Sequence, residues 1–361
     1  MRGRGLHFHF HLWLALLFAL IAASFGISVK NQSVRCIAAE RRALLDFKKG
    51  LIDYDNSLNL LVSWTSKEEE CCKWKGVGYD NTTGHVVMLD LRPRIIYGIF
   101  GGSWTSISGE IGTSLLESIS DNIPYWFWNL PLRLMFLDLS FNQISGRVPN
   151  LPLKFDRIPL IDFSSNLFHG PIPQFLSKST TLDLSNNMFN GPLSYLCTNK
   201  DSGLSYLDLS NNLLSGGIPD CWIKSRRLTI INLENNNLSG VIPTSLGSVE
   251  TLQSLRLRNT SLHGEIPQSL KSCIQLRLLD LGENKLTGII PPWIGERLEN
   301  LIVLRLRSNN FHGNIPSTLC HQQFLKVLDL SLNNISGAIP SCFNNLTTMA
   351  HLGSSAATIE F

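Results

Sequence analysis

The stretch LSYLDLSNNLLSGGIP, from Leu204 to Pro219, decides the fold of this chain. Its pattern, L-x-x-L-x-L-x-x-N-x-L-x-G-x-I-P, returns in copies that begin at Leu228, Leu252, Leu276, Leu301 and Leu325, and more loosely at Leu134, Ile158 and Ser179. The glycines of these nine copies follow one another at steps of 21 to 25 residues. A period held so closely predicts a solenoid in which every copy forms one coil.

The positions of one copy have complementary roles. Leucines two positions apart predict a short strand that turns them inward while the residues between them face out. The asparagine after the strand can satisfy backbone groups of the turn with its side-chain amide, the glycine permits a tight bend, and Ile-Pro favours an extended, non-helical return. No coil can bury its own apolar side, so stacked coils share one core. The expected fold class is an α/β-type solenoid with a parallel β-sheet on its concave face.

Composition and charge exclude several classes of protein. The chain has 361 residues, of which 43% are hydrophobic, so it can bury a large core and disorder is not expected. The net charge is +3, from 31 basic and 28 acidic residues. So small an excess indicates neither a nucleic-acid partner nor an anionic membrane surface.

The first residues carry an export signal. Arg2 and Arg4 precede an apolar run from Leu12 to Ala23, and small residues follow it, which predicts a secretory signal peptide over residues 1–28. The alternative is a signal anchor that stays in the membrane, but the run is short against the roughly 20 residues that span a bilayer. No other stretch reads as a membrane span, so we expect a secreted or cell-surface product.

Export decides the chemistry open to the eight cysteines and to the asparagines. An oxidising compartment favours disulfides, and in stacked coils only residues of the same or neighbouring coils come within disulfide distance. The spacing therefore predicts the pairs Cys197–Cys221 and Cys320–Cys342, and leaves Cys273 as a buried thiol. Six Asn-x-Ser/Thr sequons predict a glycoprotein with some sites unused. They begin at Asn31, Asn81, Asn237, Asn259, Asn334 and Asn345.

The repeat phrase resembles the plant extracellular class of leucine-rich repeat. The stretch before it is similar to the plant N-terminal cap, written here as CIAAERRALLDFKKGL from Cys36, LVSW from Leu61, CCKWKGV from Cys71 and TGHVVMLDLR from Thr83. Over roughly residues 1–349 the chain resembles plant receptor-like proteins of the group that includes the ethylene-inducing-xylanase receptors. The resemblance implies a plant-type leucine-rich-repeat superhelix, a cap closed by a Cys36–Cys71 disulfide, and signal sensing at the cell surface through partner receptor kinases.

The resemblance also suggests how the chain is divided, and where it departs from the family. We expect the cap with the first strand over 29–91, an irregular or interrupted region over 92–131 that lacks the strand half of a coil, and nine repeats over 132–343. The tail over 344–361 is expected to be truncated before the membrane span of family members. Tyr79 stands where family caps usually have a fourth cysteine, which leaves Cys72 outside the predicted disulfides.

Outward-facing strand positions are where such solenoids meet their partners. Most coils carry aspartate between the two strand leucines and serine two residues later, which we interpret as framework. Two Arg-x-Arg pairs break this pattern in coils two apart, about 10 Å from each other. They form either a charge ladder neutralised by neighbouring acids or a patch for ligand carboxylate or phosphate groups. The candidate ligand-binding residues are Glu234, Arg256, Arg258, Asp280, Glu283, Arg305 and Arg307.

Nothing in the sequence indicates an enzyme, a cofactor or a metal site. His169, His263 and His312 each precede a motif glycine, but the last two lie two coils apart and cannot share one ion. No Gly-rich phosphate loop, Cys-x-x-Cys pair or nucleophile elbow occurs. The aromatic cluster YWFW from Tyr125 is either an exposed adhesive patch or, as we expect, part of the core through Phe127.

Two functions from different classes fit the sequence. The first is a non-catalytic extracellular recognition protein that binds a peptide or protein ligand, or a co-receptor, on the concave surface in plant defence or development signalling. The alternative is a secreted inhibitor of a microbial cell-wall enzyme, resembling polygalacturonase-inhibiting proteins, which share the repeat phrase. A pseudogene product with no ligand is the third possibility.

Overall fold

The computed structural model describes residues 36–49, 52–53, 61–67, 71–79, 84–91, 119–123, 128, 135–150, 159–197 and 203–345. The expected signal peptide, the sequons Asn31 and Asn81, the residue Phe127, most of the region 92–131 and the tail beyond 345 lie outside these ranges. None of the helices in the described ranges is both long and apolar enough to cross a membrane.

The cap begins with a helix over Ala38–Lys49 and includes a 3-10 helix over Cys71–Lys73. Leu44 and Phe47, three positions apart on one helix face, are fully buried. Trp64 and Trp74 are also buried, and their rings stack with centroids 5.5 Å apart. The two tryptophans therefore seal the first coil, as expected for a terminal repeat.

The predicted sheet is present, and the described residues contribute eleven strands to it. We call it the first sheet, and all its strands are parallel except the antiparallel first pair. Its strands are Val77–Tyr79, Val86–Asp90, Phe136–Asp138, Leu160–Asp162, Thr181–Asp183, Tyr206–Asp208, Ile230–Asn232, Ser254–Arg256, Leu278–Asp280, Val303–Arg305 and Val327–Asp329. Core residues of neighbouring strands are aligned with one another. Leu255, for example, lies in register with Ile231 and Leu279. Val86–Asp90 pairs directly with Phe136–Asp138, so the sheet continues from the cap into the repeats.

A second sheet, with eleven strands among the described residues, runs along the segments around the motif glycines, where the sequence predicted only a bend. Its strands are Ile52–Asp53, Ile119–Asn122, Gln143–Gly146, Leu167–Pro171, Met188–Gly191, Leu213–Gly217, Asn237–Gly240, Ser261–Gly264, Lys285–Ile289, Asn310–Gly313 and Asn334–Ile335. The glycines have positive φ, for example +85° at Gly191, which glycine adopts without a Cβ clash. Stacking brings these segments of neighbouring coils within hydrogen-bonding distance, which no single copy reveals.

Where the structure describes the return of a coil after its glycine, that return contains a short helix, so the expectation of a non-helical return is wrong there. Pro173 is extended, with φ −68° and ψ 143°, and a 3-10 turn follows it. The helices are Gln174–Lys178, Ser194–Cys197, Trp222–Lys224, Thr244–Ser248, Gln268–Ser272, Trp293–Arg297, Ser317–His321 and Ser341–Asn345, of which Trp293–Arg297 is α-helical. One short turn is enough to point the apolar residue of the return into the core, as at Leu246 and Leu270.

The strand-terminal asparagines act as the sequence predicts. Asn187 donates Nδ2–H bonds to Phe163 O at 2.8 Å and Leu184 O at 3.2 Å, and its Oδ1 accepts the Phe168 N–H at 3.0 Å. One side chain therefore satisfies backbone groups of two coils, which is why it can be buried. Where Thr260 replaces asparagine, its Oγ1 lies 2.6 Å from Asn284 Oδ1 of the next coil.

Candidate functional site

The Arg-x-Arg pairs lie on the outward side of the first sheet, as the alternation of side chains along a strand requires. Leu255 and Leu257 are fully buried, whereas Arg256 between them is partly exposed and Arg258 is exposed. Leu304 and Leu306 are likewise buried, with exposed arginines beside them at 305 and 307. The predicted register is confirmed, and all four guanidinium groups belong to one face of the sheet.

The first row of this face alternates in charge. Arg256 lies in register with Asp280, and Asp280 with Arg305. The buried Asp280 places Oδ2 3.4 Å from Arg305 Nη1, and its Oδ1 accepts the Gly282 N–H at 3.1 Å. Asp280 is therefore a fixed counter-charge to Arg305.

The second row lies two residues further along each strand. Arg258 donates its Nε–H to Glu283 Oε1 at 3.1 Å and bonds the same oxygen through Nη2. This hydrogen bond raises the pKa of Arg258. Arg307 donates Nη1–H to the neutral Ser331 Oγ at 2.8 Å. Burial raises the pKa of Glu234, at the start of the row, although Arg256 opposes the shift.

The four arginines thus differ in their contacts. Arg258 and Arg305 are each paired with an acid of the neighbouring coil, which is what a neutralised charge ladder requires. Arg307 contacts a hydroxyl group, which an incoming carboxylate can replace at little cost. The charge-ladder interpretation is therefore supported by Arg258 and Arg305, and the ligand-patch interpretation by Arg307.

Repeated aspartate and serine form a framework, as expected. Ser185 donates its N–H and its Oγ–H to Asp183 Oδ1 at 3.0 and 2.7 Å, and Ser210 does the same to Asp208 at 2.9 and 2.6 Å. Asp183 lies in register between Asp162 and Asp208. Burial, and then the charge of Asp208, raise the pKa of Asp183 to about 7. Sequence reasoning missed this shift because it depends on the spacing between coils.

Three disulfides join the described cysteines, and they are the pairs that the sequence analysis expects. Their Cα–Cα distances are 5.7 Å for Cys36–Cys71, 5.6 Å for Cys197–Cys221 and 5.8 Å for Cys320–Cys342. Cys273 is a buried thiol, and Cys72 is a partly buried one. Within the described ranges no group of three or more His, Cys, Asp or Glu side chains is placed to hold a metal ion.

The sequons of the repeats occupy two kinds of position. Asn237 and Asn334 are exposed first residues of second-sheet strands. Asn259 instead follows Arg258, at a positive φ of 50°, and donates Nδ2–H to Asn235 Oδ1 at 2.8 Å. A glycan on Asn259 would therefore stand beside the arginines, and glycans on the other two would stand on the second sheet.

Comparison with known proteins connects this geometry to a family. The family model for the leucine rich repeat N-terminal domain matches residues 37–78. The leucine rich repeat model matches residues 133–155, 203–224, 227–249, 251–273, 275–296, 300–322 and 324–346. These matches cover the cap and most of the repeats that form the two sheets.

Two receptor-like proteins of Solanum lycopersicum, EIX2 and EIX1, are 45% and 48% identical to this chain over 167 and 174 residues. The matches cover 46% and 47% of this chain. They cover only 14% and 15% of the two relatives, so this chain corresponds to a small part of each.

Solved plant structures share the fold. The HAESA ectodomain of Arabidopsis, in complex with an IDA peptide hormone, has a TM-score of 0.60 at 29% identity and is similar over 86% of this chain and 44% of its own. The ectodomain of GASSHO1/SCHENGEN3 of Arabidopsis thaliana, in complex with CASPARIAN STRIP INTEGRITY FACTOR 2, has a TM-score of 0.58 at 34% identity. The similarity covers 63% of this chain and 28% of that one. A plant ice-binding protein has a TM-score of 0.66 at 26% identity, and the similarity covers 85% of this chain and 90% of that one.

Proposed function

Because this chain belongs to the leucine-rich-repeat proteins and resembles the receptor-like proteins EIX1 and EIX2, we propose that it is a non-catalytic recognition module of the cell exterior. It binds a peptide or protein ligand, or a co-receptor, on its concave face in plant defence or development signalling. The ligands named for HAESA and GASSHO1/SCHENGEN3 support this ligand class. By the same resemblance the expected partner is a receptor kinase.

One observation carries the proposal to particular residues: the two Arg-x-Arg pairs on a face otherwise lined by aspartate and serine. A guanidinium group binds carboxylate or phosphate through two parallel hydrogen bonds. The framework positions of the other coils are filled by aspartate and serine, so the fold does not require arginine there. In this proposal Arg307 and the outward-facing Arg256 contact the ligand anion. Asp280 and Glu283 hold the guanidinium groups of Arg305 and Arg258 in place, and together with Glu234 they limit the net charge of the face.

The test compares two synthetic peptides that differ only in a C-terminal carboxylate or carboxamide. Binding to the secreted chain is measured by fluorescence anisotropy. We expect the carboxylate form to bind more tightly, and Arg256→Ala and Arg307→Ala to weaken it. Arg227→Ala, an exposed arginine away from this face, is the matched control. Equal binding of both peptides to the wild-type chain contradicts the assignment of these arginines.

The alternative function is inhibition of a microbial cell-wall enzyme. The observation in its favour is that the similarity covers 90% of the chain of a solved plant ice-binding protein, so this fold is not confined to receptor ectodomains. Incubation with fungal polygalacturonase separates the two functions. Loss of pectin-degrading activity in proportion to added chain would support the inhibitor, and unchanged activity would leave the receptor-type function.

A further inference from the structure

An open groove of about 570 Å³ crosses four consecutive coils beside the arginine face. It lies at the start of the first-sheet strands. Backbone hydrogen bonds place its central residues side by side: Arg277 N–H donates to Gln253 O at 2.8 Å, and Ile302 N–H donates to Arg277 O at 2.7 Å. We call it the apolar groove, lined by Gln253, Ile274, Arg277, Asn300, Ile302 and Phe324. Its volume is that of a typical ligand site.

The groove is apolar at positions where the repeat is otherwise polar. Ile274 stands two residues before its copy's first leucine, and the residues at that position in the other regular copies are Ser202, Arg226, Glu250, Glu299 and Gln323. Phe324 stands one residue before, where Arg227, Thr251, Gln275 and Asn300 occur. Ile302 stands one residue after, where Thr229, Gln253, Arg277 and Lys326 occur.

These three apolar side chains are therefore not required by the fold. Ile274 and Phe324 keep 49% and 54% of their surface exposed, unlike the buried leucines of the same coils. The groove is also held in shape, because Asn300 Nδ2–H donates to Ile274 O at 3.1 Å. Clustered, exposed apolar residues on a fixed backbone indicate a contact surface.

Charge indicates what the groove contacts. Arg277 and Lys326 lie on either side of Ile302 in the neighbouring coils. Ile302 N–H donates to Arg277 O, and Lys326 N–H donates to Ile302 O at 2.8 Å. Both are exposed. The exposed acids Glu250 and Glu299 stand in the coils on either side of Ile274, at its position in the repeat, so they belong to the row of Ile274 and not to the row of Ile302. The row of Ile302 therefore carries a cation on each side. An apolar floor between cationic walls fits a bulky apolar side chain with carboxylates on either side.

We propose that the apolar groove binds an extended peptide segment in which a large apolar residue is flanked by acidic residues. The apolar side chain lies over Ile302, between Ile274 and Phe324, and the carboxylates reach Arg277 and Lys326. This inference rests on the proposed recognition function and assigns it a second contact region, separate from the Arg-x-Arg pairs.

The experiment uses three fluorescein-labelled peptides with capped ends that contain Asp-Phe-Asp, Asp-Ala-Asp or Ser-Phe-Ser. Anisotropy with the secreted full chain is expected to show binding of Asp-Phe-Asp about tenfold tighter than either of the others. No binding of Asp-Phe-Asp, or equal binding of all three, overturns the proposal. Binding of Ser-Phe-Ser alone would indicate an uncharged apolar ligand and overturns it too.

Variants test the location of the site. Ile274→Glu and Phe324→Gln introduce residues that other coils carry at the same positions, so both chains are expected to fold, as a thermal unfolding curve will show. Each should weaken Asp-Phe-Asp binding about tenfold, whereas Arg227→Gln should not. Unchanged affinity in Ile274→Glu and Phe324→Gln overturns the proposal. Concentration-dependent dimerisation that Phe324→Gln abolishes would identify a second copy as the occupant and also overturns it.

The outcomes separate this inference from the proposed function. Asp-Phe-Asp carries side-chain carboxylates even though its ends are capped, so its binding is also measured with Arg256→Ala and Arg307→Ala. Both variants should leave it unchanged, and weaker binding in either variant would place the peptide on the arginine face and overturn the groove. Equal binding of the carboxylate and carboxamide peptides to the wild-type chain, which means no discrimination between them, contradicts the arginine assignment only when Asp-Phe-Asp binding is intact. Intact discrimination with no Asp-Phe-Asp binding contradicts the groove only.

Discussion

The buried carboxylate of Asp280 lies 3.4 Å from the guanidinium of Arg305 on the neighbouring strand. The same carboxylate accepts the Gly282 N–H, so Asp280 connects the concave surface to the backbone of its own turn. A residue in this position influences both the stability of the coil and the charge that a ligand meets.

We expect Asp280→Asn to lower the free energy of unfolding by about 1 kcal/mol, because the amide oxygen can still accept the Gly282 N–H while the ion pair is lost. The same change removes a negative charge from the face. Binding of the carboxylate-ended peptide should therefore tighten. Urea unfolding and anisotropy measure the two effects, and weaker peptide binding would contradict the electrostatic assignment.

Asp183 should make stability depend on pH. Its pKa is raised to about 7 by burial and by Asp208, above the ordinary value of 3.8. At a pH between these two pKa values, the folded chain holds a proton on Asp183 that the unfolded chain has released. The free energy of unfolding therefore falls as pH rises from about 4 to about 7. Asp183→Asn should remove this fall and raise stability at pH 7 by about 2 kcal/mol, discounted for partial solvent access.

Asp329→Asn is the matched control, because Asp329 makes the same contacts with Ser331 on the last first-sheet strand. Against the opposing effect of burial, hydrogen bonds from Ser331 and the charges of Arg307 and Arg305 lower its pKa. Its contribution to stability is therefore lost as pH falls. Urea midpoints at pH 4, 5, 6 and 7 compare the variants, and an identical pH profile for Asp183→Asn and wild type would contradict the shift.

Reduction should destabilise the repeats through two disulfides. Replacing both Cys197 and Cys221 with serine opens a link that spans 24 residues, and the expected loss is about 3 kcal/mol. Peptide mapping without reduction should recover Cys197–Cys221 and Cys320–Cys342 as linked fragments. A fragment that links Cys72 to Cys273 would contradict the register of the solenoid.

The sequons should differ in their importance for the fold. Asn237→Gln and Asn334→Gln replace exposed side chains and should leave stability unchanged while removing one glycan each. Asn259→Gln breaks the hydrogen bond to Asn235 and places glutamine at a positive φ, which should cost about 1 kcal/mol. Mass spectrometry before and after deglycosylation, with thermal unfolding, checks both statements.

The sequence by itself determined which of the periodic side chains are buried and which face outward. A 24-residue spacing is enough to say which leucines are buried, which arginines face outward and why asparagine ends each strand, because each copy meets the same neighbours. It also placed Cys197 beside Cys221, since equal positions in adjacent coils must be close. These predictions needed only the register of one copy against the next.

Tertiary structure alone decided what depends on distances between particular coils. The second sheet forms because stacking brings backbone segments that are distant in sequence together, and the pKa of Asp183 rises because stacking buries the carboxyl and places Asp208 beside it. Likewise, Ile274 and Phe324 stand fifty residues apart in sequence and line one groove only after the coils stack. Each of these features depends on the distances between stacked coils, which the pattern of a single copy does not give.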